Sequence, residues 1–174
     1  MMPPKGLVII NTGDGKGKTT AALGMMLRAW GNGLKVVMLQ FVKSPDREYG
    51  EVKAARQVGL ELVTGGAGFY FPGMDPAPHK AAAMAQWEAA REKISSGGYD
   101  LVILDELTYA LRFGWISVEE LIDVLRRRPA GMHVIITGRA APQALIDFAD
   151  TVSEIREVKH HFRQGIKAQP GVEL

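Results

Sequence analysis

Three groups of residues in this chain could do chemistry together. They are a lysine at the end of a glycine run, the hydroxyls that follow it, and a pair of carboxylates far along the chain. The first two lie in Asn11-Thr-Gly-Asp-Gly-Lys-Gly-Lys-Thr-Thr20, directly after the apolar run Leu7-Val-Ile-Ile10. A short β-branched run, a Gly-rich loop and Lys-Thr-Thr opening an Ala/Leu-rich segment read as strand, phosphate loop and helix. Gly13, Gly15 and Gly17 let backbone N–H groups turn inward around an anion, with Asp14 and Lys16 between them. A helix starting near Lys18 adds its N-terminal N–H groups and dipole at the same point. Lys18 can reach phosphate oxygens, Thr19 is placed to ligate Mg2+, and Thr20 completes the loop. The usual pattern starts with Gly where Thr12 stands, yet three later glycines leave the loop buildable.

The carboxylates are Asp105 and Glu106, which end the run Tyr99-Asp-Leu-Val-Ile-Leu104. Acidic residues at the C-terminal end of a strand can hold a metal ion directly or through water. Together with the Gly-Lys-Thr loop they complete a nucleotide site. Two arginines are candidates beside it: Arg28, reaching back toward the phosphates, and Arg139, at the end of the run Met132–Thr137 on the same sheet edge. Phe69-Tyr-Phe71 lies in a loop rich in Gly and Pro and has no periodic face to bury. These rings either plug the domain edge or line a site for a large flat ligand. His160 and His161 are adjacent; on a strand such a pair does not easily share one metal, so no metal site is expected there.

These residues need elements to position them. Strands are expected near Gly6–Asn11, Lys35–Phe41, Leu60–Val63, Tyr99–Leu104 and Met132–Thr137, with an edge strand at Thr151–Lys159. Helices are expected near Lys18–Trp30, Glu51–Val58, His79–Ser95, Ser117–Arg128 and Pro142–Ala149. Met25 and Met26 read as core packing. Ser117-Val-Glu-Glu120 matches a capping box, and Arg126-Arg-Arg128 reads as a solvated last turn complementing the helix dipole. His160–Leu174 reads as an irregular tail. Strict alternation of strand and helix implies an α/β fold with a doubly wound, mostly parallel sheet and helices on both faces. With the Gly-Lys-Thr loop after the first strand, the expected class is P-loop NTPase-like, RecA-type. Residues 1–174 form a single domain.

The bulk properties are ordinary: 47% hydrophobic, 23% charged and a formal charge of +2 over 174 residues. That charge argues for neither nucleic acid nor an anionic membrane as a required partner. The absence of cysteine excludes disulfides and thiolate metal sites. No apolar run approaches a membrane span, so a cytoplasmic location is the expectation. From the site alone, a P-loop ATPase or nucleotide kinase would use the same residues. A GTP-dependent switch would need an Asn-Lys-x-Asp motif, which the sequence lacks.

Several motifs in order resemble those of the P-loop-type ATP:corrinoid adenosyltransferases, the cobalamin-adenosylating family. They are Thr12–Ala22, Gly66–Phe71, Val102–Tyr109, Ile135–Arg139, Asp150–Glu154, Val158–His160 and Gly165–Gln169, and they span nearly the whole chain. The resemblance implies transfer of the 5′-deoxyadenosyl group from ATP to a reduced, Co(I) corrinoid with release of triphosphate. It implies Mg2+ (or Mn2+), ATP as co-substrate, an electron-donating flavoprotein and a homodimer. It also implies ATP bound with its phosphates reversed relative to most P-loop proteins, so that C5′ faces the corrinoid. Carried over by position, Gly13–Thr20 would bind triphosphate, and Thr19, Asp105 and Glu106 would hold the metal. Lys18, Arg28 and Glu106 would act in the reaction, with Arg139 nearby. Phe69 and Phe71 would pack on the lower corrinoid face and displace its axial ligand. Phe71 stands where a Trp is often found. Some relatives have a longer N-terminal segment covering the neighbouring subunit's site; with the first strand so near Met1, that cover is expected to be missing or supplied otherwise.

Overall fold

The computed structural model describes residues 5–173. Six strands form one sheet: β1 (Val8–Thr12), β2 (Val36–Gln40), β3 (Glu61–Thr64), β4 (Leu101–Asp105), β5 (His133–Thr137) and β6 (Thr151–Glu154). Their order is β3-β2-β4-β5-β1-β6, and every pairing is parallel. A parallel strand must return through a crossover, so every connection runs over a face and both faces are covered. That is why β2 and β4 are buried at every position and read as unbroken apolar runs.

The helices are α1 (Lys18–Gly31), α2 (Gly50–Val58), α3 (Ala77–Ser95), α4 (Leu107–Arg112), α5 (Val118–Arg127) and α6 (Gln143–Phe148). On one face of the sheet, Ala22 and Met26 of α1 join Met38, Ile103 and Ile135. On the other, Trp87 and Ile94 of α3, Leu107 of α4, Leu121 and Leu125 of α5 and Leu145 of α6 cover Val37, Leu39, Val102, Leu104 and Ile136. Met26 is core, as its spacing implies, and truncating such a side chain to Ala costs about 2–5 kcal/mol. Met25 packs at the margin of the same cluster.

Several expectations need correction. The last strand stops at Glu154, because the chain after it turns away across the phosphate loop. Helix α4 has no expected counterpart: it is six residues long, too short for periodicity to reveal. The tail contains one 3-10 turn, His161–Gln164. The capping box on α5 is half formed. Ser117 accepts from the Glu120 N–H at 3.0 Å, but the Glu120 carboxylate accepts from Trp87 Nε1 at 2.8 Å instead of turning back. Arg128 is not a solvated residue. Its guanidinium donates to the carbonyls of Leu125, Met132 and Gly6 at 2.6, 3.1 and 2.7 Å, tying the end of α5 to the chain entering β1.

Candidate active site

All the strands run the same way, so their C-terminal ends share one edge, where open α/β sheets bind ligands. The phosphate loop leaves β1 there. Thr12 occupies the usual glycine position without strain because it still belongs to β1, paired with Glu154, and its hydroxyl accepts from Ala141 N–H at 3.2 Å. Gly13 and Gly15 are required by clearance as well as by loop geometry. A Cβ on Gly13 would lie 2.4 Å from the Ile155 carbonyl, and one on Gly15 would lie 2.6 Å from the Arg156 backbone. Gly15 N–H donates to Ile155 O at 2.8 Å, so the chain beyond β6 buttresses the loop. Gly17, at φ 122, then opens α1 with no side-chain cap and no acidic residue in its first turn. The first-turn N–H groups are thereby left for an anion.

Lys18 is buried, and its ammonium donates to the carbonyls of Gly13 and Gly15 at 2.8 and 2.7 Å. Burial pulls its pKa below the ordinary lysine value, opposed by the carboxylates of Glu106, Asp14 and Asp105. Asp14, Lys16 and Thr20 are exposed around the rim. Lys16 reaches the carbonyl of Val172 at 2.6 Å, so the tail also borders the loop.

The carboxylates arrive from β4 and meet the loop. Thr19 Oγ1 donates to Asp105 Oδ1 at 2.8 Å, and Thr137 Oγ1, from the end of β5, donates to the same oxygen at 2.7 Å. Gln40 Nε2, from the end of β2, donates to Asp105 Oδ2 at 3.1 Å and to Glu51 at 3.2 Å. Glu51 in turn pairs with Lys43, whose ammonium lies 4.5 Å from the Tyr49 ring centre. Burial raises the Asp105 pKa against these hydrogen bonds, and burial together with the Asp105 charge raises that of Glu106. Glu106 has φ 59, a left-handed backbone rare outside glycine, pinned by its N–H to Thr137 Oγ1 at 2.9 Å. One hydroxyl and two carboxylates make an all-oxygen donor set at the N-terminus of α1, the chemistry that suits a hard divalent cation.

Arg139 lies on the same edge; its carbonyl accepts from Thr108 Oγ1 at 2.8 Å, and its charge opposes the upward shift of Glu106. Arg28 is not brought to the loop. It is exposed in the last turn of α1, about 15 Å of helix rise beyond Lys18, farther than its side chain reaches within one chain. Phe69 and Phe71 project from the loop after β3 on the same sheet edge, 55% and 61% exposed with centroids 6.4 Å apart. Tyr70 between them turns inward against Phe113 and Trp115. Of the three rings, Tyr70 is thus the plug, while Phe69 and Phe71 stay exposed at the sheet edge.

His160 and His161 do not lie on a strand. At the 3-10 turn their ring centroids are 4.6 Å apart, and with Glu173 they bring three potential ligand atoms within 4.8 Å. The strand argument against a shared metal therefore does not apply. His161 is engaged with Glu173 at 2.8 Å. Sequence reasoning overlooked Gln40, Thr137, Glu51 and Tyr109. Gln40 and Thr137 had a usable signal: each is a polar residue at the C-terminal end of a buried apolar strand.

Fold and site together define a P-loop NTPase-like α/β protein. The profile of the family described as "ATP:corrinoid adenosyltransferase BtuR/CobO/CobP" matches residues 4–174. The chain is 41% identical over 169 residues to the corrinoid adenosyltransferase CobA of Salmonella typhimurium, covering 97% of this chain and 86% of that protein. It is 39% identical to the corrinoid adenosyltransferase of Pseudomonas aeruginosa, covering 98% and 84%. Among solved structures, the flagellar accessory protein FlaH of Methanocaldococcus jannaschii shares the fold at a TM-score of 0.62 and 14% identity, over 87% of this chain and 72% of that one. The chain belongs to the ATP:corrinoid adenosyltransferase family. No helix among the described residues is long and apolar enough to cross a membrane.

Proposed function

We propose that this enzyme transfers the 5′-deoxyadenosyl group of ATP to the cobalt of a Co(I) corrinoid and releases intact triphosphate. The corrinoid would be cobalamin, cobinamide or cobyrinic acid a,c-diamide. The observation behind this reading is the meeting, on one sheet edge, of a phosphate cradle and two large exposed rings. The electron pair of Co(I) becomes the new Co–C5′ bond, and the pair of the broken C5′–O bond leaves with triphosphate. No proton moves, so the lack of a general base is expected.

The loop N–H groups of Gly13–Thr20 and the Lys18 ammonium hold the triphosphate and meet the charge that grows on it as the bond breaks. Thr19, Asp105 and Glu106 hold Mg2+ (or Mn2+), which when bound supplies further positive charge to the leaving group. Phe69 and Phe71 pack on the lower corrinoid face; neither can ligate cobalt, so they displace a lower ligand without replacing it. Arg139 supports the nucleotide end. Arg28 acts on ATP only where assembly or closure brings it near, and a homodimer would supply that. The enzyme works in the cytoplasm with an electron-donating flavoprotein as its source of Co(I).

The test is an anaerobic assay with chemically reduced cobalamin, ATP and Mg2+. Loss of Co(I) absorbance with adenosylcobalamin and intact triphosphate is the expected result. ADP and phosphate as products would return the chain to the ATPases.

A further inference from the structure

The segment carrying Phe69 and Phe71 contains Gly65, Gly66, Gly68 and Gly73 and belongs to no helix or strand. A chain of that composition does not hold two large rings in water without outside support. Part of the support comes at its base, where Gly66 and Gly68 N–H groups donate to the carbonyls of Lys43 and Val42 at 2.9 and 2.8 Å. At the tip, Met74 N–H donates to the Phe71 carbonyl at 3.1 Å and the Tyr70 ring packs on Phe113 and Trp115, and one further side chain holds the Tyr70 backbone. Tyr109 Oη donates to the Tyr70 carbonyl at 2.7 Å and accepts from the Tyr70 N–H. A single phenol thus satisfies both backbone groups of the residue between the two exposed rings.

Its own ring stands edge-on to Phe69 at 5.8 Å and to Phe113 at 4.9 Å. Burial raises the phenol pKa, which keeps the O–H available as a donor. Tyr109 is rooted in α4, the short helix that starts directly after Glu106 and is tied to the Arg139 turn by Thr108. The loop tip and Glu106 are therefore both joined to one short helix.

The geometry points to Tyr109 as a positioning residue for the corrinoid: its hydroxyl fixes the backbone of Tyr70 so that Phe69 and Phe71 face the ligand at a set distance from the nucleotide end. This rests on the adenosyl-transfer reading for the identity of the ligand, but the clamp itself does not. A purely space-filling Tyr109 would be replaced by Phe without consequence, because the ring contacts remain.

The experiment compares wild type with Tyr109→Phe, and with Tyr70→Phe as a control that leaves both backbone bonds in place. Hydrogen exchange of the amides in residues 69–71 is measured on the free protein. Exchange there is expected to quicken roughly tenfold in Tyr109→Phe and to stay unchanged in Tyr70→Phe. In the anaerobic assay, kcat/KM for cob(I)alamin is expected to fall roughly tenfold with KM for ATP unchanged. Unchanged exchange together with unchanged cobalamin kinetics overturns the proposal. So does an equal rise in KM for ATP, since that would mean α4 as a whole had been disturbed. Should wild type itself transfer no adenosyl group, the corrinoid assignment falls, while the exchange result still decides whether the clamp exists.

Discussion

Thr19 and Asp105 lie 86 residues apart in sequence and meet through a 2.8 Å hydrogen bond at the centre of the site. The carboxylate is fully buried, and its pKa stands above the ordinary 3.8 because burial outweighs its three hydrogen bonds. The folded protein therefore keeps this proton to a higher pH than the unfolded chain. The stability it contributes is present at low pH and is lost as pH rises from 3.8 through the raised value. Asp105→Asn removes that loss while keeping an oxygen for Thr19 and Thr137, and a turned-over Gln40 amide, giving up its bond to Glu51, accepts from the new amide through Oε1. We expect the variant to be more stable at neutral pH by about 1 kcal/mol, or about 2–4 °C in Tm. Its stability should fall less steeply between acid and neutral pH, and turnover should be lost with the cation site. Thermal melts across that range decide; an Asn variant less stable at neutral pH would mean the ionised carboxylate is net favourable.

Lys18 bears on stability and activity to different degrees. It holds two loop carbonyls, one in a buried bond, so Lys18→Ala should cost about 1–3 kcal/mol of stability and leave the fold intact. Its charge is another matter, because it is the buried cation nearest the leaving triphosphate in the proposed reaction. Turnover should drop by about 10²–10³ or more. Calorimetry of ATP binding beside a single-turnover assay would show the loss, and full activity would remove the loop from the reaction.

Much of this was legible in the chain, and the reasons are physical. The five core strands are visible because a parallel sheet covered on both faces demands unbroken apolar runs. The Lys18, Thr19 and Asp105 cluster is visible because a glycine-rich loop between strand and helix, with Gly-Lys-Thr and a strand-end carboxylate, fixes residue type and spacing together. What was hidden depends on contacts between distant segments. Nothing near Gly15 announces that Arg156 will lie against it, and nothing near Tyr109 announces Tyr70. The place of Arg28 was hidden for a related reason: a helix that starts at the site carries its later residues away from the loop of its own chain, and the sequence does not measure that distance. The β6 boundary was overestimated because alternation continues past Glu154 while the chain has already turned toward the loop.

That turn gives a structural prediction. A methyl group at Gly15 would lie 2.6 Å from the Arg156 backbone, whereas one at Gly17 would meet open space and only a strained φ. Gly15→Ala must displace the 155–156 segment or the loop, costing about 1–3 kcal/mol. Gly17→Ala instead strains the start of α1, costing about 1–2 kcal/mol. Amide exchange at Ile155, whose N–H donates to Thr12 O at 2.8 Å, should rise in the first variant and stay low in the second. Equal exchange in both would show that the segment does not buttress the loop.

Phe71 tests the aromatic wall. Its ring is 61% exposed, so Phe71→Ala should cost little stability, within about 0.5 kcal/mol. Under the proposed reaction the ring does its work by occupying the space of the lower axial ligand. Cobalamin carries that ligand and cobinamide lacks it. The variant should therefore lose activity with cobalamin by about tenfold or more and with cobinamide by distinctly less, a difference worth about 1.4 kcal/mol or above in the transition state. Parallel anaerobic assays with the two corrinoids, at saturating ATP and Mg2+, make the comparison. Equal losses would assign Phe71 to general contact with the ring system, and the displacement role would have to pass to Phe69 alone.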